Sequence, residues 1–327
     1  MGSLPDVSYL GILPRLGNFP KTKGWSNPDI ACIIPTSQKP DGVGEERVER
    51  KPSLEYNSVE PQTGPPQRRG CVVVAMAVAV TIILLFALFP PVTLLDKADL
   101  IGYGICHRIP DRSFVIGDRQ SPLCARCTGT FLGAIVGLVA MLVLGRRRAS
   151  RLPPVPVLGV LVLFVGFWGF DGLNSYLTFF PNAIHLYEPR NWLRLTTGLL
   201  NGLALVTFVF PIFNFTIWQE TTRQPVFDNL WQILALMPVM ALLILALLSG
   251  VEFLLYPLAV LSSAGVMMML ILINSLIAAV ALRREGMART WKEALVPLTV
   301  GAALAILEVS AMVALRAYLT LEMGMPL

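Results

Sequence analysis

The residues best equipped for chemistry sit in one short stretch, Cys106-His107-Arg108 followed by Cys124-Ala125-Arg126-Cys127. Three of the five cysteines and one of the two histidines fall there. A Cys-x-x-Cys with a remote Cys/His pair can hold a metal ion or switch between dithiol and disulfide. Read as a metal site, Cys106, His107, Cys124 and Cys127 form the ligand set for zinc or another transition metal. Structural zinc takes four such ligands in a tetrahedron. Neighbouring Cys106 and His107 would need an unusual backbone to share one ion, so His185 or Asp171 stands as an alternative fourth ligand. Read as a redox site, Cys124 and Cys127 are the reacting pair. Arg126 lies between them and Arg108 follows Cys106 closely, and positive neighbours lower a thiol's pKa. The odd cysteine leaves no second pair for a relay. Covalent haem attachment is excluded, because Cys127 is followed by Thr128 and not by His.

A second group of polar residues brackets an aromatic segment. Asp171, Gly172 and Asn174 close one apolar run, and Asn191, Arg194, Thr197 and Gly198 open the next. Spacings of three put Asn191, Arg194 and Thr197 on one helix face. Helix N-termini attract anions, and the guanidinium fork suits phosphate or carboxylate. Arg108, Arg112, Arg126, Asp171, Asn191 and Arg194 are therefore the candidate set for an anion or lipid headgroup. The plainer reading is an interfacial belt in which Arg194 snorkels and Asp171 pairs with it. Glu308 lies in the middle of the last apolar run, where a carboxylate is expensive; Asn274 and Ser275 are its expected partners. Gly129, Gly133 and Gly137, and likewise Gly198 and Gly202, recur every fourth residue and predict close helix packing.

What must position these residues is a membrane bundle. The chain has 327 residues, 54% hydrophobic and only 14% charged, with mean hydropathy +0.64. A soluble domain carries about a quarter charged residues. The net charge of +5 is no sign of nucleic acid, because the basic residues gather at the ends of apolar runs. Residues 1–69, rich in Pro, Gly, Ser and charge, read as a disordered polar tail, and no early apolar core marks a signal peptide. Cys32 lies in that tail and Cys71 opens the first run; neither shows a motif.

Apolar runs follow at about 71–89, 128–144, 156–170, 195–217, 230–248, 254–282 and 294–318, each near the roughly 20 residues that cross a bilayer as helix. The expected fold is therefore all-α and polytopic, about seven transmembrane helices over residues 70–327. Reading the sixth run differently gives six or eight. Pro238 predicts a kink in the fifth. Basic clusters at Arg68-Arg69, 146–151, Arg223 and 283–292 place the N-terminus in the cytoplasm of a multi-pass cell-membrane protein and the cysteine loop outside. Against that stands the load of Lys97, Arg108, Arg112, Arg119 and Arg126 on an outward loop, only partly balanced by Asp96, Asp99, Asp111 and Asp118.

The string Cys-His-Arg-Ile-Pro-Asp-Arg-Ser-Phe at 106–114, with Gly117, Pro-Leu-Cys-Ala-Arg-Cys-Thr-Gly at 122–129 and Gly133, resembles a bacterial and archaeal membrane family, domain of unknown function 2085. Asp171-Gly172, Asn191, Arg194, Thr197-Gly198 and Gly202 are similar to it as well. The resemblance covers residues 100–205. It implies no activity, but it suggests that the two loops act as one unit. Three functional readings follow. One is a metal-binding or structural module beside a site for a phosphate- or carboxylate-bearing ligand. Another is a membrane thiol-disulfide oxidoreductase using Cys124 and Cys127. The third is a structural partner of other membrane subunits.

Overall fold

The computed structural model describes residues 67–88, 93–180, 184 and 186–323. The tail over residues 1–66, with Cys32, lies outside the described residues, as does His185. The chain is an all-α polytopic membrane protein. Among the described residues, seven helical segments are long and apolar enough to cross a bilayer. In hydrocarbon every backbone N–H and C=O must be satisfied within the segment, which leaves the helix as the form for such runs. These are α1 (Gln67–Leu88), α3 (Ala125–Val143), α4 (Val155–Leu177), α5 (Asn191–Ile217), the pair α6 (Leu230–Leu234) and α7 (Met237–Leu248), α8 (Glu252–Ala281) and α9 (Trp291–Met323), with a shorter α2 (Leu94–Ile105) after the first. Pro238 has the expected effect: Ala235 and Leu236 interrupt the fifth span just before it. The sixth run is one unbroken helix despite Pro257.

Helix α5 is the centre of the bundle, 61% of its apolar window being buried against 6% for α1 and 17% for α4. It packs most closely on α3, parallel to it. A Cβ added at Gly133 would stand 2.1 Å from the Leu199 carbonyl, and one at Gly202 would stand 1.8 Å from the Thr130 carbonyl. Backbone therefore touches backbone along this seam. The glycine spacing encodes that approach and not a ligand site.

Two small ribbons finish the ends. At one end β3 (Ala149–Arg151) pairs in parallel with β4 (Thr222–Pro225), and Arg146 is paired with Asp228. Arg148 stacks on the Trp218 ring at 4.5 Å and donates to the Arg289 carbonyl at 2.9 Å. At the other end β1 (Ser113–Ile116) and β2 (Arg119–Cys124) form an antiparallel hairpin turning at Gly117-Asp118. Gly117 has φ +60°, which suits a two-residue hairpin turn. Helix α2 lies beside this hairpin, against α8 and α9; a Cβ at Gly102 would stand 2.0 Å from the Pro122 carbonyl. The apolar runs set the helical spans, but this end of the bundle, with a helix and a hairpin inside the cysteine loop, is more ordered than a plain connection.

Candidate functional site

Helix α2 ends at Cys106, whose amide donates to the Gly102 carbonyl at 2.8 Å. Its backbone there is extended, with φ −121° and ψ 142°. Successive side chains of an extended chain point to opposite sides. Cys106 accordingly turns inward, 4% exposed, and His107 turns out. Arg108 then takes φ +51°, a left-handed conformation that is uncommon outside glycine, and bends the chain back. Its guanidinium donates to Asp99 at 2.9 Å, and its carbonyl accepts from Gln120 Nε2 at 2.6 Å. Those two bonds hold the strained residue in place.

The hairpin delivers the other two sulfurs. Cys124 is the extended residue that caps α3, and its amide donates to Cys106 Sγ at 3.3 Å. Cys127 follows one helical turn on, the spacing that stacks two side chains on one face. The three Sγ atoms lie within 4.8 Å of one another, the only such group of potential metal ligands among the described residues. Ile101, Leu123, Val266 and Val309 pack around the cluster, so α2, β2, α8 and α9 all contribute to its apolar wall. Hydrogen bonds donated by the Cys124 and Cys127 thiols pull the Cys106 pKa down to about 2, against the opposing effect of burial. The bond Cys124 donates holds its own proton and pushes its pKa up.

His107 does not join this group: it is turned to the surface by the extended backbone. It lines a groove of about 190 Å³ between α2 and α9 with Ile105, Met312 and Leu315. Arg316 closes one wall, donating to the carbonyls of Tyr103 at 2.7 Å, Cys106 at 2.6 Å and His107 at 3.2 Å. Asp171 does not join it either. One carboxylate oxygen is taken by Arg126, with Nε at 3.1 Å and Nη2 closer, and the other accepts from the Tyr187 hydroxyl at 2.9 Å. His185, the remaining alternative ligand, lies outside the described residues.

The six residues proposed for an anion divide into two places. Arg108 belongs to a flank network in which it pairs with Asp99, and Arg119 with both Asp96 and Asp99. Arg112, Arg126 and Arg194 instead converge on the last turns of α4. Arg112 Nη2 donates to the Ser175 carbonyl and to Thr178 Oγ1, both at 3.2 Å, and its guanidinium lies 4.1 Å from the Phe179 ring. Arg194 Nη2 donates to Ser175 Oγ at 2.8 Å and Nη1 to Asn191 Oδ1 at 3.1 Å. Asp171 therefore pairs with Arg126 rather than Arg194, because α3 rather than the start of α5 presents a guanidinium to it. Arg194 is 5% exposed and is no snorkelling residue. Asn191 Nδ2 ties the group to the hairpin through the Asp111 carbonyl at 3.2 Å. Burial lowers the Arg112 pKa, and the Arg126 charge lowers it further, a sign of like charges held close. Burial, then the bond to Asp171, raises Tyr187 to about 12.

Ser175 and Tyr187 carry much of this arrangement without belonging to any motif. Ser175 stands four residues after Asp171, one turn along the same face of α4, which continues past the apolar run to Leu177. Within the spans, Asn274 donates to the exposed Glu308 at 3.0 Å as expected, whereas Ser275 bonds to the Ile271 carbonyl instead.

The family described as "Predicted membrane protein (DUF2085)" matches residues 106–208. An uncharacterized protein of Methanothermobacter thermautotrophicus is 32% identical over 101 residues, 31% of this chain and 80% of the relative. This chain belongs to that family. A second relative, an uncharacterized protein of Methanocaldococcus jannaschii, is 29% identical over 116 residues, 36% of this chain and 68% of its own length. No solved structure matches the chain. The DUF2085 segment begins at Cys106 and ends within α5, so it contains all three sulfurs and the whole arginine group. Helices α2, α8 and α9, which pack over the sulfurs, lie outside it.

Proposed function

We propose that this DUF2085 protein is a membrane metal-binding protein whose Cys106, Cys124 and Cys127 hold one soft transition-metal ion, zinc being the first choice. The observation that carries this reading is the convergence of three sulfurs, from the end of α2 and the start of α3, within 4.8 Å. Tetrahedral zinc with Zn–S near 2.3 Å holds its sulfurs about 3.8 Å apart, so a small contraction completes the set. Thiolates select zinc or copper(I) over hard cations. Three protein ligands leave a fourth position for water or an exogenous ligand, as in zinc sites that act on bound molecules. A disulfide between any two of the sulfurs would strand the third in an apolar pocket.

The basic loops around Arg146, Arg223 and Arg283 favour placing that end in the cytoplasm and the sulfur end outside. The arginines that spoke against this orientation lose much of their weight when paired, as Arg108, Arg119 and Arg126 are with Asp99, Asp96 and Asp171.

Elemental analysis, and counting of the free thiols among Cys106, Cys124 and Cys127, test the reading on the full-length protein purified in detergent without added reductant. The expected result is about one metal ion per chain, lost from Cys106→Ser, Cys124→Ser and Cys127→Ser. Metal at background with a disulfide among Cys106, Cys124 and Cys127 supports a thiol-disulfide oxidoreductase instead. Metal at background with all three of these thiols free leaves a structural subunit. Either result overturns the metal reading.

A further inference from the structure

We infer that Arg112, Arg126 and Arg194 form a binding cleft for a phosphate-bearing anion at the sulfur end of the bundle. The inference uses none of the cysteines and does not depend on a metal. Three guanidiniums meet one short stretch of α4, and Asp171 is the one carboxylate bonded to any of them among the described residues. The cluster thus sets three guanidiniums against one bonded carboxylate, with exposed Asp111 nearby. Of the three, Arg194 is held out of water with no carboxylate bonded to it, and a buried charge of that kind calls for a counter-ion.

Unused donors point the same way. Arg194 is 5% exposed, and its Nε is fully buried with no hydrogen-bond partner. Arg126 spends Nε and Nη2 on Asp171, while Nη1 makes no hydrogen bond among the described residues. A Cβ built on Gly172 would stand 3.8 Å from this Nη1, in ordinary van der Waals contact. Arg112 uses only Nη2. Helices α3 and α5 run parallel, and both begin at this cleft, so their positive dipole ends add to the field. A carboxylate presents one planar edge that a single arginine fork can saturate; a phosphate has oxygens facing several ways and suits guanidiniums arriving from two helices and from the turn before the hairpin. The source of the phosphate is either a lipid headgroup or a free phosphate.

Thermal unfolding of the full-length protein distinguishes them. One arm adds inorganic phosphate to protein in neutral detergent, with acetate at equal ionic strength as control. The other compares nanodiscs of phosphatidylglycerol with nanodiscs of phosphatidylcholine. Ligand well above its Kd raises the melting temperature by on the order of 5 °C. A rise with phosphate assigns a free anion, and a rise with phosphatidylglycerol alone assigns a headgroup. Either rise must fall by more than half in Arg112→Gln and Arg194→Gln and persist in Arg119→Gln, which lies in the flank network. Should Arg194→Gln not fold, the partly exposed Arg112 carries the comparison. A rise equal with acetate, a rise that survives Arg112→Gln, or no rise in any arm overturns the inference.

Discussion

Arg126 Nε and Asp171 Oδ2 lie 3.1 Å apart and join the first turn of α3 to the last turns of α4, with the Asp171 side chain 2% exposed and Arg126 20%. Arg126 also sits between Cys124 and Cys127, so the pair links the sulfur cluster to the end of α4, where the three arginines meet, through a single side chain. Removing one member of a mostly buried pair leaves the other without compensation.

Asp171→Asn should therefore lower stability by about 3 kcal/mol, seen as a lower melting temperature in detergent. Arg126→Met should cost a similar amount, and the double substitution clearly less than the sum of the two. Additive losses would show that the pair is not coupled.

Gly133→Ala and Gly202→Ala force a methyl group into the seam between α3 and α5, where the facing atoms are backbone carbonyls that cannot swing aside. Each is expected to destabilise the protein by about 1–3 kcal/mol. Gly159→Ala meets nothing within 4 Å and should be near neutral, which makes it the control. Thermal unfolding of the three variants side by side settles the point.

Tyr187 supplies a pH signature. Its folded pKa is raised to about 12 by burial and by the bond to Asp171, above the ordinary value of 10.0. The fold thus favours the neutral phenol. The stability this contributes is whole below pH 10 and is lost as pH rises from 10 to 12, since the unfolded chain gives up the proton first. Phenolate absorbance should show one tyrosine titrating late in the wild type. That late step should vanish in Tyr187→Phe, and stability between pH 10 and 12 should then fall less steeply.

Asn274→Ala takes from Glu308 the donor that meets it at 3.0 Å inside the membrane-spanning region. Interhelical bonds of this kind contribute about 1 kcal/mol. Unfolding should report a loss of that order, and Asn274→Ala combined with Glu308→Gln should cost little more than Asn274→Ala alone. A double variant twice as damaging would assign Glu308 a further partner.

The spans were legible because membrane insertion demands long apolar runs, and each of the seven leaves such a run in the sequence. The glycine seam was legible for a similar reason: helical periodicity puts Gly129, Gly133 and Gly137 on one line before any partner is known. Helix α2 was not. It carries Asp96, Lys97, Asp99, Gly102 and Gly104, a poor helix composition, and depends on packing against α8 and α9. Strand β1 has four residues, too few to display alternation, although Gly117-Asp118 after Val115-Ile116 is a hairpin signal. At the site, types and spacing brought out the three cysteines and the arginines. The partner of Asp171 could not be read, because it depends on how α3, α4 and α5 are arranged around one another. That His107 faces away from the sulfurs has a local reason, the opposite facing of neighbours in extended backbone.

The parallel run of α3 and α5 has a consequence for how the protein is made. Two consecutive spans run in opposite directions, so a parallel pair must be separated by a third, here α4, which is left on the outside of the bundle. During synthesis the Gly129–Gly133 groove of α3 therefore waits, open to lipid, until α4 has crossed and α5 has left the ribosome and turned its own glycines inward. The DUF2085 segment ends inside α5, close to where that seam can first close, so a chain stopped after α4 would carry all three cysteines and still lack the helix that locks their scaffold.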